Sequence, residues 1–396
     1  MLVLRNALRF LLPSVSNHKK RPARQMKQLI ILLLVLITIN QTFSQEYEEL
    51  RNYLDTNWKT PEEYVISKFK SHDYIFIGEY HRIKHDVELV LNLIPLLYEN
   101  GIFNLAIEFG AFNIQELVDS IITAPVFDRD LLKSNYFKNN QVWGYKEYID
   151  IYEVAWSVNK ANSSSPNKFR VVNLAPPYEP CKKGGAWRDL NPDVYMADVL
   201  KNEITNKNQR ALIYSGNHHA FTKYHQPLYD FDKDTLYGFT KTRMGNIIYD
   251  SLNVKTFNIY LHAGWISSKG WNAPTVLPVN GVIDSIMNMY SDKRVGFDVI
   301  NSPFGKLKST DSYYALGYDN FSLDKYCDGY IYQYAFKDYQ PITPEPNYYT
   351  RKNIHKLRKY LKCIGLPKFV RWTLFKFNAS KRTYEDIRNH FKHLMN

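Results

Sequence analysis

Two short stretches repeat one arrangement of chemistry-bearing residues. They are Gly78-Glu79-Tyr80-His81 and Gly216-Asn217-His218-His219, each a Gly-x-x-His that follows an apolar run. A third run, Leu105 to Ile107, leads into Glu108. Two imidazoles and two carboxylates brought to one place can act in either of two ways. As an acid/base set, a neutral histidine takes a proton from water while a glutamate orients the ring and stabilises the imidazolium. As nitrogen and oxygen ligands, His81, Glu108 and His219 hold a divalent cation whose bound water becomes acidic enough to attack an ester or amide. The catalytic candidates are therefore His81, Glu79, Glu108 and His219 under either alternative. Around them, His85 stands four residues after His81, the spacing of two ligands on one helical face. Asn217 and His218 precede His219, and His262 closes another apolar run before Ala263-Gly264-Trp265. Arg82 and Arg243 are further candidates for supporting roles. A lone Gly-x-x-His is most often a loop histidine without a task; two copies after two strands, with an acid after a third, carry the functional reading.

Side chains so far apart in sequence meet only if their elements converge. From Pro61 onward, short β-branched or aromatic runs alternate with longer stretches of helical period, which predicts an α/β fold: a mainly parallel sheet with helices on both faces. The predicted strands are Tyr74 to Ile77, Leu105 to Glu108, Phe169 to Leu174, Ala211 to Ser215, Phe257 to His262, Val295 to Ile300 and Gly329 to Tyr334. In open parallel sheets ligands bind beyond the carboxyl ends of the strands, where both Gly-x-x-His loops fall. The glycine is expected to let the chain turn sharply there. Val87, Val90, Leu91, Ile94, Leu97 and Tyr98 recur at helical spacing up to Asn100-Gly101, a helix stop, with Pro95 expected to kink the helix. Tyr148, Ile151, Tyr152, Ala155 and Val158 mark a second helix before the polar break 162–166. The stretches 176–193 and 222–256 read as long loops of the kind that form lids or binding surfaces.

The formal charge of +12 sits at the two ends of the chain. Residues 1–44 hold seven Lys or Arg and no acid, and residues 351–396 hold thirteen against two acids, which leaves the body at −6. A basic stripe for nucleic acid is therefore absent from the body, and no nucleic-acid partner is expected. Residues 29–39 are an apolar run after Lys27, followed by Thr42-Phe43-Ser44, the layout of a signal peptide and shorter than a membrane span. Residues 1–44 are thus expected to be a signal peptide with an upstream extension, 45–340 the α/β domain, and 341–396 a proline-marked linker with a basic tail. Leu357, Tyr360, Leu361 and Ile364 form an apolar stripe among basic residues, which suits contact with a membrane surface. Cys181, Cys327 and Cys363 are too few for a disulfide framework, and isolated cysteines are the expectation, with one bridge and one free thiol as the alternative. The chain is accordingly expected to be exported, periplasmic or secreted.

Ile77-Gly78-Glu79-Tyr80-His81 before a helix, then Ala106-Ile107-Glu108, and later Ile213 to His219, resemble the superfamily of erythromycin esterases, ChaN-type haem-binding lipoproteins and the Tiki and TraB-like proteins. The resemblance covers roughly residues 61–335 and implies that superfamily's three-layer architecture. It implies a hydrolase of an ester or amide in which His81, helped by Glu79, activates water, with Glu108 and His219 completing the site and a small-molecule ester or peptide as substrate. Tiki-like members imply metal dependence through two Gly-x-x-His motifs and a Glu. ChaN-type members imply the alternative, a non-catalytic exported protein that binds haem or metal in the same crevice. Arg82 stands where esterases tend to have Gly, and Gly216 where they often have a second His.

Overall fold

Runs such as Tyr74-Ile75-Phe76-Ile77 and Ala211-Leu212-Ile213-Tyr214 are apolar on both faces, which suits a strand only when helices cover both sides of its sheet. The structure, a computed structural model, has that arrangement. It describes residues 45–140, 143–177, 190–252, 255–350, 352–363, 365, 387 and 389–395. The chain divides into two compact units, Met1–Asn52 and Tyr53–Asn396. Of the first, residues 45–52 are described and are helical; the expected signal peptide lies outside the described residues. All that follows concerns the second unit.

Seven strands form one sheet: β1 (Tyr74–Glu79), β2 (Asn104–Ala111), β3 (Arg170–Ala175), β4 (Ala211–Gly216), β7 (Thr256–Leu261), β8 (Val295–Asp298) and β9 (Gly329–Tyr332). Their order is β3-β2-β4-β1-β7-β9-β8. Every neighbouring pair is parallel except β8, which runs antiparallel to β9 at the edge. Each of the seven predicted strands is present, with shifted ends. Glu79 stands opposite Gly216, and Ile107 opposite Tyr214, so the three strands that carry the candidate residues are direct neighbours.

Alternate side chains of these strands enter two cores. On one face Ile75, Ile77, Leu105, Ile107 and Leu212 meet Val87, Leu93, Tyr148 and Ile151, supplied by α1 (Pro61–Lys68), α2 (Lys84–Glu99) and α3 (Lys146–Ala161) and their neighbours. On the other, Phe76, Ala106 and Ile213 meet Met196, Leu200, Met244 and Ile248, from α4 (Pro192–Glu203) and α5 (Met244–Leu252). Each such side chain, fully buried, contributes roughly 1.5–3 kcal/mol. Local signals set the helix ends. Thr60 and Glu63 form a capping box with Pro61 at the first position of α1. Asn100 caps α2 and Gly101 follows at φ 72°. Pro95 lies inside α2, which runs past it as one element.

Three expectations change. The stretch 222–256 is not a loop: it holds an antiparallel hairpin, β5 (Pro227–Asp230) with β6 (Thr235–Phe239), and then α5. Residues 341–350 are not a free linker. Pro341 and Pro344 bridge to Ile83 and Tyr145, Ile342 and Tyr348 are buried, and the Glu345 carboxylate accepts from Arg129 at 3.0 and 2.6 Å. Burial of that apolar surface and a paired charge hold the segment against the body. Third, Cys363 is disulfide-bonded and Cys327 is a buried free thiol, so the cysteines are not all isolated. The tail does form a helix, α6 (Ile354–Cys363); the side chains of its expected apolar stripe lie outside the described residues. Among the described residues no helix is long and apolar enough to cross a membrane.

Candidate active site

The first motif begins inside β1. Glu79, its last residue, is buried, and its carboxylate accepts three hydrogen bonds: from His81 Nδ1 at 2.8 Å, from the Tyr148 hydroxyl at 2.6 Å, and from the Tyr214 hydroxyl. His81 sits beyond the strand end with its side chain 41% exposed, its ring edge-on to Trp143 and Phe109. Burial pushes the Glu79 carboxyl up, offset in part by its bonds to His81 and the tyrosines. Burial works against a charged His81, but the Glu79 hydrogen bond and the Glu108 charge outweigh it and raise its pKa. The pair is thus built to hold a proton on the imidazole.

The second motif ends β4 and enters a 3-10 turn, Asn217–Ala220. Its histidine, His219, donates from Nδ1 to Asp193 at 2.6 Å and from Nε2 toward Glu108 at 3.3 Å. Burial disfavours its charge, yet the two carboxylates raise its pKa to about 10, so the ring is an imidazolium. The same cation, against burial, brings Glu108 down to about 2. The other Glu108 oxygen accepts the Gly216 N–H at 2.7 Å. Asp193 in turn accepts from Arg243 at 3.1 Å and from the Met244 N–H at 2.8 Å. Glu108 was expected to end its strand but does not; β2 continues to Ala111, and its register with β3 shifts between Ile107 and Ala111. Such an irregularity re-aims a side chain.

The two glycines interlock the motifs. A Cβ on Gly216 would lie 2.5 Å from His81 Cε1 and 2.9 Å from Nε2, and one on Gly78 would lie 2.9 Å from the Asn217 Cα. Gly216 has φ −55°. Close approach, not a sharp turn, is what requires glycine here, a correction to the sequence expectation.

Glu79, His81, Gly216 and His219 line a pocket of about 520 Å³, together with Tyr80, Arg82, Tyr260, Ile266, Trp271 and Tyr314, whereas Glu108 and Asp193 stand behind this lining. His218 lines it too, bonded to the Tyr314 hydroxyl at 3.0 Å and pushed down to about 3 by burial and then by Arg243, so it is neutral. Asn217 lines it and donates to Tyr326 at 2.7 Å. His85 and His262 do not line it. The chain turns through Arg82, at φ 74°, before α2 starts at Lys84. His81 and His85 therefore share no helical face, and His85 packs against Tyr334 and Tyr339. His262 is buried between Tyr330 at 2.7 Å and Asp284 at 3.1 Å, a satisfied structural histidine. Asp193, Tyr148 and Tyr214 were not legible as site residues. The tyrosines read as core positions by their spacing, and Asp193 acts through contacts with residues far along the chain.

Metal ligation by His81, Glu108 and His219 fits the arrangement poorly. In this arrangement both nitrogens of His219 are taken by carboxylates, Nδ1 by Asp193 at 2.6 Å and Nε2 by Glu108 at 3.3 Å. Among the described residues no group of three or more His, Cys, Asp or Glu side chains converges as a metal site.

The chain matches no protein-family model and no curated protein. Its fold is shared with solved structures. A succinoglycan biosynthesis protein is 11% identical, with 75% of this chain and 98% of that chain covered, at TM-score 0.50. An erythromycin esterase in its open conformation is 8% identical over 67% and 90%, at TM-score 0.44. Haem-binding ChaN of Campylobacter jejuni is 18% identical over 52% and 88%, at TM-score 0.30. At 11% identity the likeness to the succinoglycan biosynthesis protein concerns the fold alone.

Proposed function

We propose that this α/β chain is a hydrolase of ester or amide bonds in which His81 is the general base. The observation that carries the reading is the His81–Glu79 pair: an imidazole exposed to the pocket, its Nδ1 held at 2.8 Å by a carboxylate that is itself buried and fixed by two tyrosines. Such a base needs an oriented ring and a stabilised imidazolium, and Glu79 supplies both. Water beside Nε2 gives a proton to His81 as its oxygen attacks the substrate carbonyl carbon. Glu79 and Glu108 stabilise the resulting imidazolium, which then returns the proton to the departing alkoxide or amine. Glu108 and His219 serve by anchoring the second motif against the first, through the Gly216 N–H and Asp193. The test is turnover of p-nitrophenyl esters and of fluorogenic amides by the purified protein. His81→Ala is expected to abolish it with a thermal midpoint within a degree or two of the parent. Hydrolysis by His81→Ala at the parental rate would refute the assignment, as would a parent inactive on every ester and amide tried.

Export is part of the same proposal. Its supports are the signal-like segment and the bonded state of Cys363, since disulfides persist in oxidising compartments. Protein isolated from the native source is expected to show a single thiol per chain after denaturation without reductant. Three thiols would contradict it.

A further inference from the structure

Arg82 directly follows the proposed base and is held in an unusual way. Its φ of 74° lies in the left-handed region that side chains other than Gly, Asn and Asp seldom adopt. That backbone is pinned on both sides: its carbonyl accepts the Ile342 N–H at 3.1 Å, and its own N–H points to the Tyr148 hydroxyl at 3.5 Å. The guanidinium lies over the rings of Trp143, at 5.6 Å, and Tyr145, at 6.0 Å, and lines the same pocket as His81. Contacts of this cation–π kind use no N–H donor and leave the in-plane donors to other partners. No carboxylate takes them among the described residues, and the buried Nε has no hydrogen-bond partner. Other cationic groups beside the site are paired: His219 with Glu108 and Asp193, and Arg243 with Asp193, its remaining donors going to Gln226. An arginine held in a strained backbone, set among aromatic rings and without a carboxylate partner, next to the base, is a recognition group for an anion.

The same pocket also has an aromatic and aliphatic lining, made by Tyr260, Ile266, Trp271 and Tyr314. Trp271 is 59% exposed, a large apolar surface free for a ligand. We infer that the substrate is an anionic amphiphile: a carboxylate or phosphate group seated in-plane on Arg82, and an apolar or aromatic body against the Trp271 wall. This rests on the hydrolase reading only for placing the scissile bond beside His81; the recognition itself needs no turnover.

Binding is therefore tested apart from catalysis, by fluorescence titration of the full chain and of its His81→Ala variant with dansyl-glycine, with the phosphate monoester of dansyl-ethanolamine, and with neutral dansylamide. Both proteins are expected to bind one of the anionic probes at least tenfold more tightly than dansylamide. Which anionic probe wins distinguishes a carboxylate from a phosphate substrate. Arg82→Gln is expected to bring the ratio of anionic to neutral affinity to near one, and Arg82→Lys to recover part of it, because the charge returns without the planar fork. A folded Arg82→Gln protein, by its thermal midpoint, that keeps the ratio overturns the inference. So does equal binding of all three probes, or binding of none. Selective anion binding in a protein that hydrolyses nothing would retain the inference and discard the hydrolase reading.

Discussion

At the scale of single residues the site depends on one buried carboxylate. Glu79 accepts from His81 and from two tyrosines, so it both aims the imidazole and raises its pKa above the usual 6.5. A base works only when deprotonated, so kcat/KM should rise with pH along a limb lying above pH 6.5. Glu79→Gln removes the charge that favours the imidazolium, and the limb is expected to move to lower pH while the rate falls about a hundredfold or more. The pH profile separates this from simple damage, which would lower the rate without moving the limb. A limb that stays in place would show that another group titrates. The same substitution leaves hydroxyl donors imperfectly paired and is expected to cost about 1–3 kcal/mol of stability, readable from urea unfolding.

At the scale of elements, adjacent strands β1 and β4 present their loops to each other, and each motif's glycine makes room for the other. Gly216→Ala tests this. Its backbone, at φ −55°, accepts alanine, but the new methyl would meet the His81 ring at 2.5 Å. The ring must move by about an ångström, which is expected to cost roughly a hundredfold in kcat/KM. Stability should change far less. A variant with parental activity would show that the ring is not held where the Glu79 bond places it. How much of this was legible follows from the same elements. Strands β1, β2 and β4 declared themselves as apolar runs, and their ends gave Glu79, His81, Glu108 and His219. The hairpin β5–β6 did not, because its residues are mostly exposed or half-buried and lack an alternating apolar face. The i,i+4 reading of His81 and His85 failed because the left-handed Arg82 separates the loop from α2. Asp193 was hidden at the start of α4 because its partners lie 26 and 50 residues further on.

At the scale of the whole molecule, two devices hold the pocket together. The first is electrostatic: Glu108 and His219 join β2 to the turn after β4, and Asp193 adds α4. Glu108, brought to about 2, contributes stability that is present above its ordinary pKa of 4.5 and lost as pH falls toward 2. His219, raised to about 10, contributes stability that is complete below 6.5 and lost as pH rises toward 10. Stability from this pair should therefore be greatest between about pH 4.5 and 6.5, with urea midpoints declining above that window and declining less in His219→Gln. A parent and variant that decline alike would place the alkaline loss elsewhere. The second device is the C-terminal segment. Ile387 and His390 line the pocket, and Tyr80 is hydrogen-bonded to His390 at 2.8 Å. His393 donates to the Thr275 carbonyl at 2.6 Å, and Phe391 is fully buried against Tyr80, Phe336 and Tyr339. No sign of this was legible in the sequence, since residues 381–396 show no clear pattern and their partners lie from about fifty to about three hundred residues earlier. Removal of residues 387–396 takes away one pocket wall and the burial of Phe391, worth about 1.5–3 kcal/mol. A chain ending at Asp386 should unfold several degrees lower. If the wall contacts substrate, its KM should rise while kcat changes less, because His81 and Glu79 keep their own partners in β1, β4 and α3. An unchanged KM with the lower midpoint would make the segment a brace for the fold and not a wall of the site.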